Sequence, residues 1–498
     1  MDAGLDRTPL YDWGRFRWFE GLIPVFHAFE AGGGEPWLLY LARKLRAQGT
    51  DYRRLFGTED MSVPTARRGL WTWTKHVVNL AMATKAAALS WRLDRRPRDR
   101  AFAGEMIETL DRFHGQVSGV FSGDECLSGR NPLQGTELCA VVEYMYSLEH
   151  LFSVFGDVAY ADRLERVAFN ALPAAVSPDG WSHQYDQQAN QVQCTINPEH
   201  GWSTNGPESN LFGLEPNYGC CTANMHQGWP KLVTHLWMRT PDDGLVAAAW
   251  APCVVKTTVR GVPVTVRVST DYPFRDTIDV AVEPQRPVRF PLWLRVPAWA
   301  TAATVRVAGG PIEPLTSSSL HRVERDWAGK QTMTLRLPMS PVVTTRHNEA
   351  VSIERGPLVY SLQIGEQWTR VNADKPHREP PHADYEVRPT SPWNYGLVLD
   401  DGGVAAAVTF EERPVGARPF SPDGAGVVAT AQGRRIPAWT IERGWAGELS
   451  APERAWADPG RPLTTEPVEP TTLIPFGCTN LRISEFPRVP GADGPTER

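Results

Sequence analysis

Two short stretches of the chain hold side chains whose types and spacing can do chemistry. The first, SGDECLSGRNPLQGTELCAVVEYMYSLEHL (Ser122–Leu151), carries Asp124, Glu125, Glu137 and Cys139. Thr136 stands where a helix N-cap would, just ahead of an apolar stripe that starts at Val141, which puts Glu137 and Cys139 in the first helical turn. Unpaired N–H groups and the helix dipole there favour negative charge, lowering the pKa of carboxylate and thiol alike. The second stretch, EPNYGCCTANMHQGWPKL (Glu215–Leu232), has adjacent Cys220 and Cys221 after a glycine and before Thr222, another candidate cap. Vicinal cysteines seldom bond to each other, because the ring is strained. Alone, they read equally well as small buried hydrophobes. Joined with Glu137 and Cys139 they give three thiolates and one carboxylate, a ligand set of the kind zinc takes, although the spacing matches no zinc finger or ribbon.

These residues need helices to hold them. Val141, Met145, Leu148, Phe152 and Phe155 make one helical stripe. Gly14–Glu30, Pro36–Gln48, Trp71–Leu93, Arg98–Gln116 and Asp157–Ala174 read the same way, and a last helix lies between Thr222 and Met238. A short hairpin is expected over Trp181–Ile196. After Gly244 the texture changes. VVKTTVRGVPVTVRVST (Val254–Thr270) alternates apolar and polar residues and is rich in β-branched types, as strands are. Phe290–Val296, Thr304–Val307, Met333–Leu337 and Val351–Leu362 continue the pattern at sandwich-like intervals. Asn372–Asp384, charged and proline-bearing, reads as a linker to a second β module containing Gly396–Phe410 and Arg435–Trp445. The expected division is a helical domain over 1–240, a β-sandwich over 241–371, a second β-sandwich module over 372–487 and a disordered tail over 488–498.

A chain of 498 residues exceeds one hydrophobic core and predicts several domains. Its net charge of −6, with no dense basic cluster, argues against a nucleic-acid partner. No apolar run reaches membrane-spanning length. The acidic N-terminus, MDAGLDRTPLYDWGRF, does not read as a secretory signal. Seven cysteines in so large a chain suggest thiols in a reducing compartment, so the expected location is cytoplasmic. Nineteen tryptophans suit sugar rings and protein cores equally.

The succession G-D-E, E-x-C and C-C-x-x-N resembles glycoside hydrolase family 127, whose characterised members include β-L-arabinofuranosidases. His76–Lys85 (HVVNLAMATK), Asn348–Leu362 (NEAVSIERGPLVYSL) and Thr472–Pro487 (TLIPFGCTNLRISEFP) also look like that family, extending the resemblance from about Gly14 to Pro487. It implies an (α/α)6 barrel followed by β-sandwich domains, and zinc held by Glu137, Cys139, Cys220 and Cys221. It further implies that Cys220 attacks the anomeric carbon while a carboxylic acid upstream of E-x-C serves as acid and then base. By position that acid is Glu125, with Asp124 beside it as a rival. His76 matches a family position that contacts the sugar. His183 and Tyr185, in WSHQYDQQANQ (Trp181–Gln191), are candidates for the cleft wall.

The expected activity is retaining hydrolysis of β-L-arabinofuranosides or related plant-type sugars, with a glycoside or oligosaccharide as partner. The alternatives are a member acting on another glycoside and a zinc-stabilised carbohydrate-binding protein without turnover. About seven helical stretches fall short of six helical pairs. An open barrel exposes apolar faces, which predicts association with a second copy or with another chain that completes it.

Overall fold

The apolar stripe begun at Val141 builds a helix over Leu138–Phe155, buried on almost every side. It packs between Val77–Asp94 and Gly219–His235, and all three helices start at the same end of the domain. A computed structural model describes residues 2–65, 71–199, 206–214, 219–399, 407–449 and 463–491. The helical half also contains Leu22–Ala31, Pro36–Gln48, Pro97–His114 and Val158–Arg166.

The order of helices followed by β-sheets matches the sequence, with local departures. The helix expected over Gly14–Glu30 is broken into Asp12–Phe16, a 3-10 turn at Trp18–Gly21 and Leu22–Ala31. The helix expected from Trp71 begins at Val77, where His76 Nδ1 accepts the Asn79 N–H at 3.1 Å as an N-cap. Asp157–Ala174 is interrupted by a π segment over Val167–Ala171. Asn170 in that segment bonds the backbone of Pro357 and Val359, tying the helical half to a β-sheet. No hairpin forms over Trp181–Ile196: Asp186–Gln187 pairs with Thr136–Glu137, and Asn190–Gln191 pairs with Arg482–Ile483.

Val254–Thr270 forms the strand pair Cys253–Val259 and Val262–Ser269, joined through Arg260 and Gly261. Both turn residues have positive φ (48° and 73°), matching the turn to the twist of the ribbon. This pair lies in a six-stranded sheet whose inner Val264, Val266, Ile278 and Val280 share a core with Phe290, Leu292 and Leu294 of a four-stranded sheet.

The boundary expected at 371/372 does not follow the sheets. Pro341–Thr345, Val351–Arg355 and Leu358–Leu362 belong to one eight-stranded sheet with Tyr395–Val398, Val427–Arg435 and Val468–Pro475. Arg488–Val489, placed in the expected tail, adds to that sheet in parallel with Leu397–Val398, whereas 492–498 lie outside the described residues.

Arg295 fastens the four-stranded sheet to the helices. It is fully buried, pairs with Asp162 and Glu165 of Val158–Arg166, and donates from Nε to the Ala248 carbonyl at 2.8 Å. Arg295→Leu leaves two carboxylates without their cation in an apolar interface, with an expected cost of about 3–5 kcal/mol. Urea unfolding followed by tryptophan fluorescence measures it, and a midpoint equal to the parent's would contradict the assignment.

Candidate active site

A ladder of short backbone pairings assembles the site. His76 bridges to Cys126, Gly123 bridges to Leu127 and Thr136, and Thr136–Glu137 pairs with Asp186–Gln187. Glu125, Glu137 and Tyr185 are thereby carried side by side on neighbouring strand-like segments. Gly123 is required there, because a Cβ would lie 2.8 Å from the Cys126 carbonyl oxygen and 2.8 Å from Val77 Cβ. Glu137, rather than Thr136, takes the cap position of the Leu138–Phe155 helix, and its side chain makes no capping bond. Cys220 and Cys221 sit in the first turn of Gly219–His235, so Thr222 is inside that helix rather than capping it.

Two helix N-termini thus bring four side chains together. The ligand atoms of Glu137, Cys139, Cys220 and Cys221 all lie within 4.8 Å of one another. Cys139 Sγ and Cys221 Sγ are 3.3 Å apart, and both residues are buried with Glu137, whereas Cys220 is exposed. Hydrogen bonds from the Cys139 and Cys221 thiols, against burial, bring the Cys220 thiol down to about 3. Burial and then the charges of Glu125 and Cys220 push Glu137 well above the usual carboxylate range. Hydrogen bonding to Cys220 raises Cys139, and burial raises Cys221. One anion is therefore stable in this cluster and four are not, unless a cation joins them. Glu137 Oε2 is buried without a hydrogen-bond partner, as a carboxylate oxygen awaiting a metal would be. The residues fit a divalent ion.

Asn224, one turn beyond the cysteine pair, donates from Nδ2 to Cys139 Sγ at 3.1 Å. Such outer bonds orient a ligand, and Asn224→Ala is expected to weaken metal binding about 10–100-fold. Competition with a chromophoric chelator reads this directly, and unchanged affinity would remove Asn224 from the centre.

Glu125 faces the cluster through Tyr185. The tyrosine hydroxyl donates to Glu125 Oε1 at 2.6 Å and also hydrogen-bonds Glu137. Glu125 Oε2 takes the Trp71 indole N–H at 3.2 Å and lies 3.1 Å from His76 Nε2. Burial pushes the Glu125 carboxyl up, but the bonds from His76, Tyr185 and Trp71 outweigh it and hold the group below its ordinary value. Asp124 is buried beside Gly135. His183 is fully buried, with Nε2 2.9 Å from Thr222 Oγ1 on the cysteine helix. Cys126 is a buried neighbour whose thiol burial raises to about 11, and Cys194 and Cys478 are likewise buried. His226 is exposed and bonds its own helix at the Thr222 carbonyl. Nothing in the sequence marks Trp71 as a partner of Glu125, and Asn224 stands out only as a letter of C-C-x-x-N.

A profile described as the GH127 catalytic domain of β-L-arabinofuranosidase matches residues 73–234, and one for the GH127 middle domain matches 244–339. The chain belongs to glycoside hydrolase family 127. It is accordingly a glycoside hydrolase, and the Glu137–Cys139–Cys220–Cys221 cluster lies inside its family 127 catalytic domain. The fold is similar to that of a GH127 β-L-arabinofuranosidase from Geobacillus stearothermophilus T6. There the TM-score is 0.61 at 18% identity, over 93% of this chain and 70% of that one. A structure described as a glycoside hydrolase gives 0.63 at 16% identity, over 94% and 74%. A GH127 β-arabinofuranosidase gives 0.59 at 15%, over 94% and 68%. At such identities the likeness shows the shared fold of helical barrel and β domains. The search of curated proteins found no match. No helix among the described residues is long and apolar enough to cross a membrane.

Proposed function

We propose that the chain hydrolyses β-L-arabinofuranosides or closely related plant-type glycosides with retention, using Cys220 as nucleophile and Glu125 as acid and base around a zinc centre. The observation that carries the reading is the convergence of three thiols and one carboxylate in which only the Cys220 side is open to solvent, with Glu125 one hydrogen-bonding residue away. The soft, sulfur-rich donor set favours zinc over a hard ion, and when bound the metal would supply the charge that keeps the thiols ionised at neutral pH.

The chain's own groups then divide the work. The Cys220 thiolate attacks the anomeric carbon as the glycosidic bond breaks, and Glu125 gives its proton to the departing oxygen. Cys220 now carries the sugar through a C–S bond. Glu125, as carboxylate, takes a proton from the water that displaces the sulfur, and two inversions restore the starting configuration. Tyr185 and His76 hold Glu125 by hydrogen bonds at its two oxygens. His183 and Thr222 steady the helix that presents Cys220.

Incubation of the metal-loaded protein with p-nitrophenyl β-L-arabinofuranoside tests the proposal, with the first-formed sugar anomer read by proton NMR. Release of the β-anomer is expected. A folded, metal-loaded protein that leaves the glycoside intact would exclude this sugar, and release of the α-anomer would exclude the covalent route.

A further inference from the structure

The tryptophan-rich composition takes a specific form beside Glu125. Trp13, from the short helix Asp12–Phe16, packs edge-on against Trp71, Trp73 and His76 with ring centroids 5.8, 4.6 and 5.1 Å away. Phe16 stacks on Trp73 at 5.3 Å, and the Arg17 guanidinium lies 4.3 Å from the Trp13 centroid while Arg17 Nε bonds Asn79. This cluster is not a closed core, because Trp13 is 44% exposed and Trp71, Trp73 and Phe16 are only partly covered.

Its position relative to the Glu125 carboxylate gives it a direction. Oε1 turns to Tyr185, which in turn reaches Glu137 and the cysteine cluster. Oε2 turns to His76 and Trp71, the two residues against which Trp13 packs. An acid that protonates a glycosidic oxygen lies between the sugar being attacked and the group that leaves. If the attacked sugar occupies the cysteine side, the aromatic side borders the leaving group.

We propose that Trp13, supported by Trp73 and Phe16, is a leaving-group subsite for an aglycone with a flat apolar face, such as an aryl ring or the C–H face of a sugar ring. It rests on the acid/base assignment of Glu125. Rings of this kind stack on indole, and the guanidinium of Arg17 holds the indole in place. The subsite selects the aglycone without touching the anomeric carbon, so Trp13 sets specificity rather than chemistry.

The test compares binding of phenyl and methyl 1-thio-β-L-arabinofuranoside by isothermal titration calorimetry, which needs no turnover. The parent is expected to prefer the phenyl ligand by roughly tenfold. Trp13→Leu, which keeps apolar bulk but loses the flat face, should reduce that ratio toward unity, and Trp13→Phe should retain most of it. A parent without the preference, including one that binds neither ligand, overturns the subsite. So does a Leu variant that keeps the full ratio. A protein that shows the preference and its loss in Trp13→Leu, yet hydrolyses no arabinofuranoside, sustains the subsite while the proposed hydrolytic reading fails.

Discussion

Cys220→Ser should lower kcat on p-nitrophenyl β-L-arabinofuranoside by at least about a thousandfold while the protein keeps its metal. The geometry separates the three cysteines. Cys139 is 2% exposed and Cys221 fully buried, so neither sulfur can meet a sugar without the helices parting. Cys139 is further tied down by Asn224, whereas Cys220 is exposed. A serine hydroxyl at 220 stays protonated near neutral pH, because an alcohol is far less acidic than a thiol, so the nucleophile is lost while its volume remains. Glu137, Cys139 and Cys221 still offer a buried carboxylate and two buried sulfurs to the ion. Cys221→Ser, in contrast, should lose metal and thermal stability together. Nitrophenol release read beside the metal-to-protein ratio decides. A Cys220→Ser protein with full metal and activity within about tenfold of the parent would exclude the cysteine nucleophile.

The sequence made some of this plain and hid the rest for physical reasons. The stripe from Val141 to Phe155 and the alternation over Val254–Thr270 are local periodicities, and both formed the predicted element. Thr136 misled because a cap is decided by backbone direction. The segment around it pairs with Asp186–Gln187, and the helix starts one residue later than a Thr136 cap requires. Pro341–Leu362 reads as part of the first sandwich because a strand leaves no trace of which distant strand it joins; its partner Val468–Pro475 follows more than a hundred residues later. The four proposed ligands came from two motifs that no spacing rule links. Cys139 and Cys221 are 82 residues apart in sequence, and only the parallel starts of two helices bring them to 3.3 Å. Glu125 and Asp124 are inseparable as letters; both lie in the bend between the paired Gly123 and Leu127, and the one that meets Tyr185 is Glu125. His183, a candidate for the cleft wall, is buried and meets Thr222 of the cysteine helix, a contact that no spacing rule links to it.

Glu125→Gln is expected to depress kcat/KM, which reports the glycosidic step, about 10²–10⁴-fold for a substrate with a poor leaving group, and much less for one with a p-nitrophenyl group that departs without a proton. The difference between the two is the signature of an acid. A purely structural Glu125 would affect both alike. The pH profile adds a sign that can be worked out in advance. Bonds donated by His76, Tyr185 and Trp71 stabilise the charged carboxylate and hold Glu125 below its ordinary value, so the proton needed for the first step is present only on the acidic side. The rate of glycosidic cleavage should fall as pH rises through the Glu125 pKa. Tyr185→Phe deletes the 2.6 Å bond to Oε1, which destabilises the carboxylate and raises that pKa. Its alkaline limb of kcat/KM should therefore move to higher pH while the maximal rate drops, because the ring no longer fixes the carboxyl. The measurement is kcat/KM against pH for parent and Tyr185→Phe on an alkyl arabinofuranoside. An alkaline limb that stays in place, or moves toward lower pH, would show that the group titrating in the profile is not Glu125.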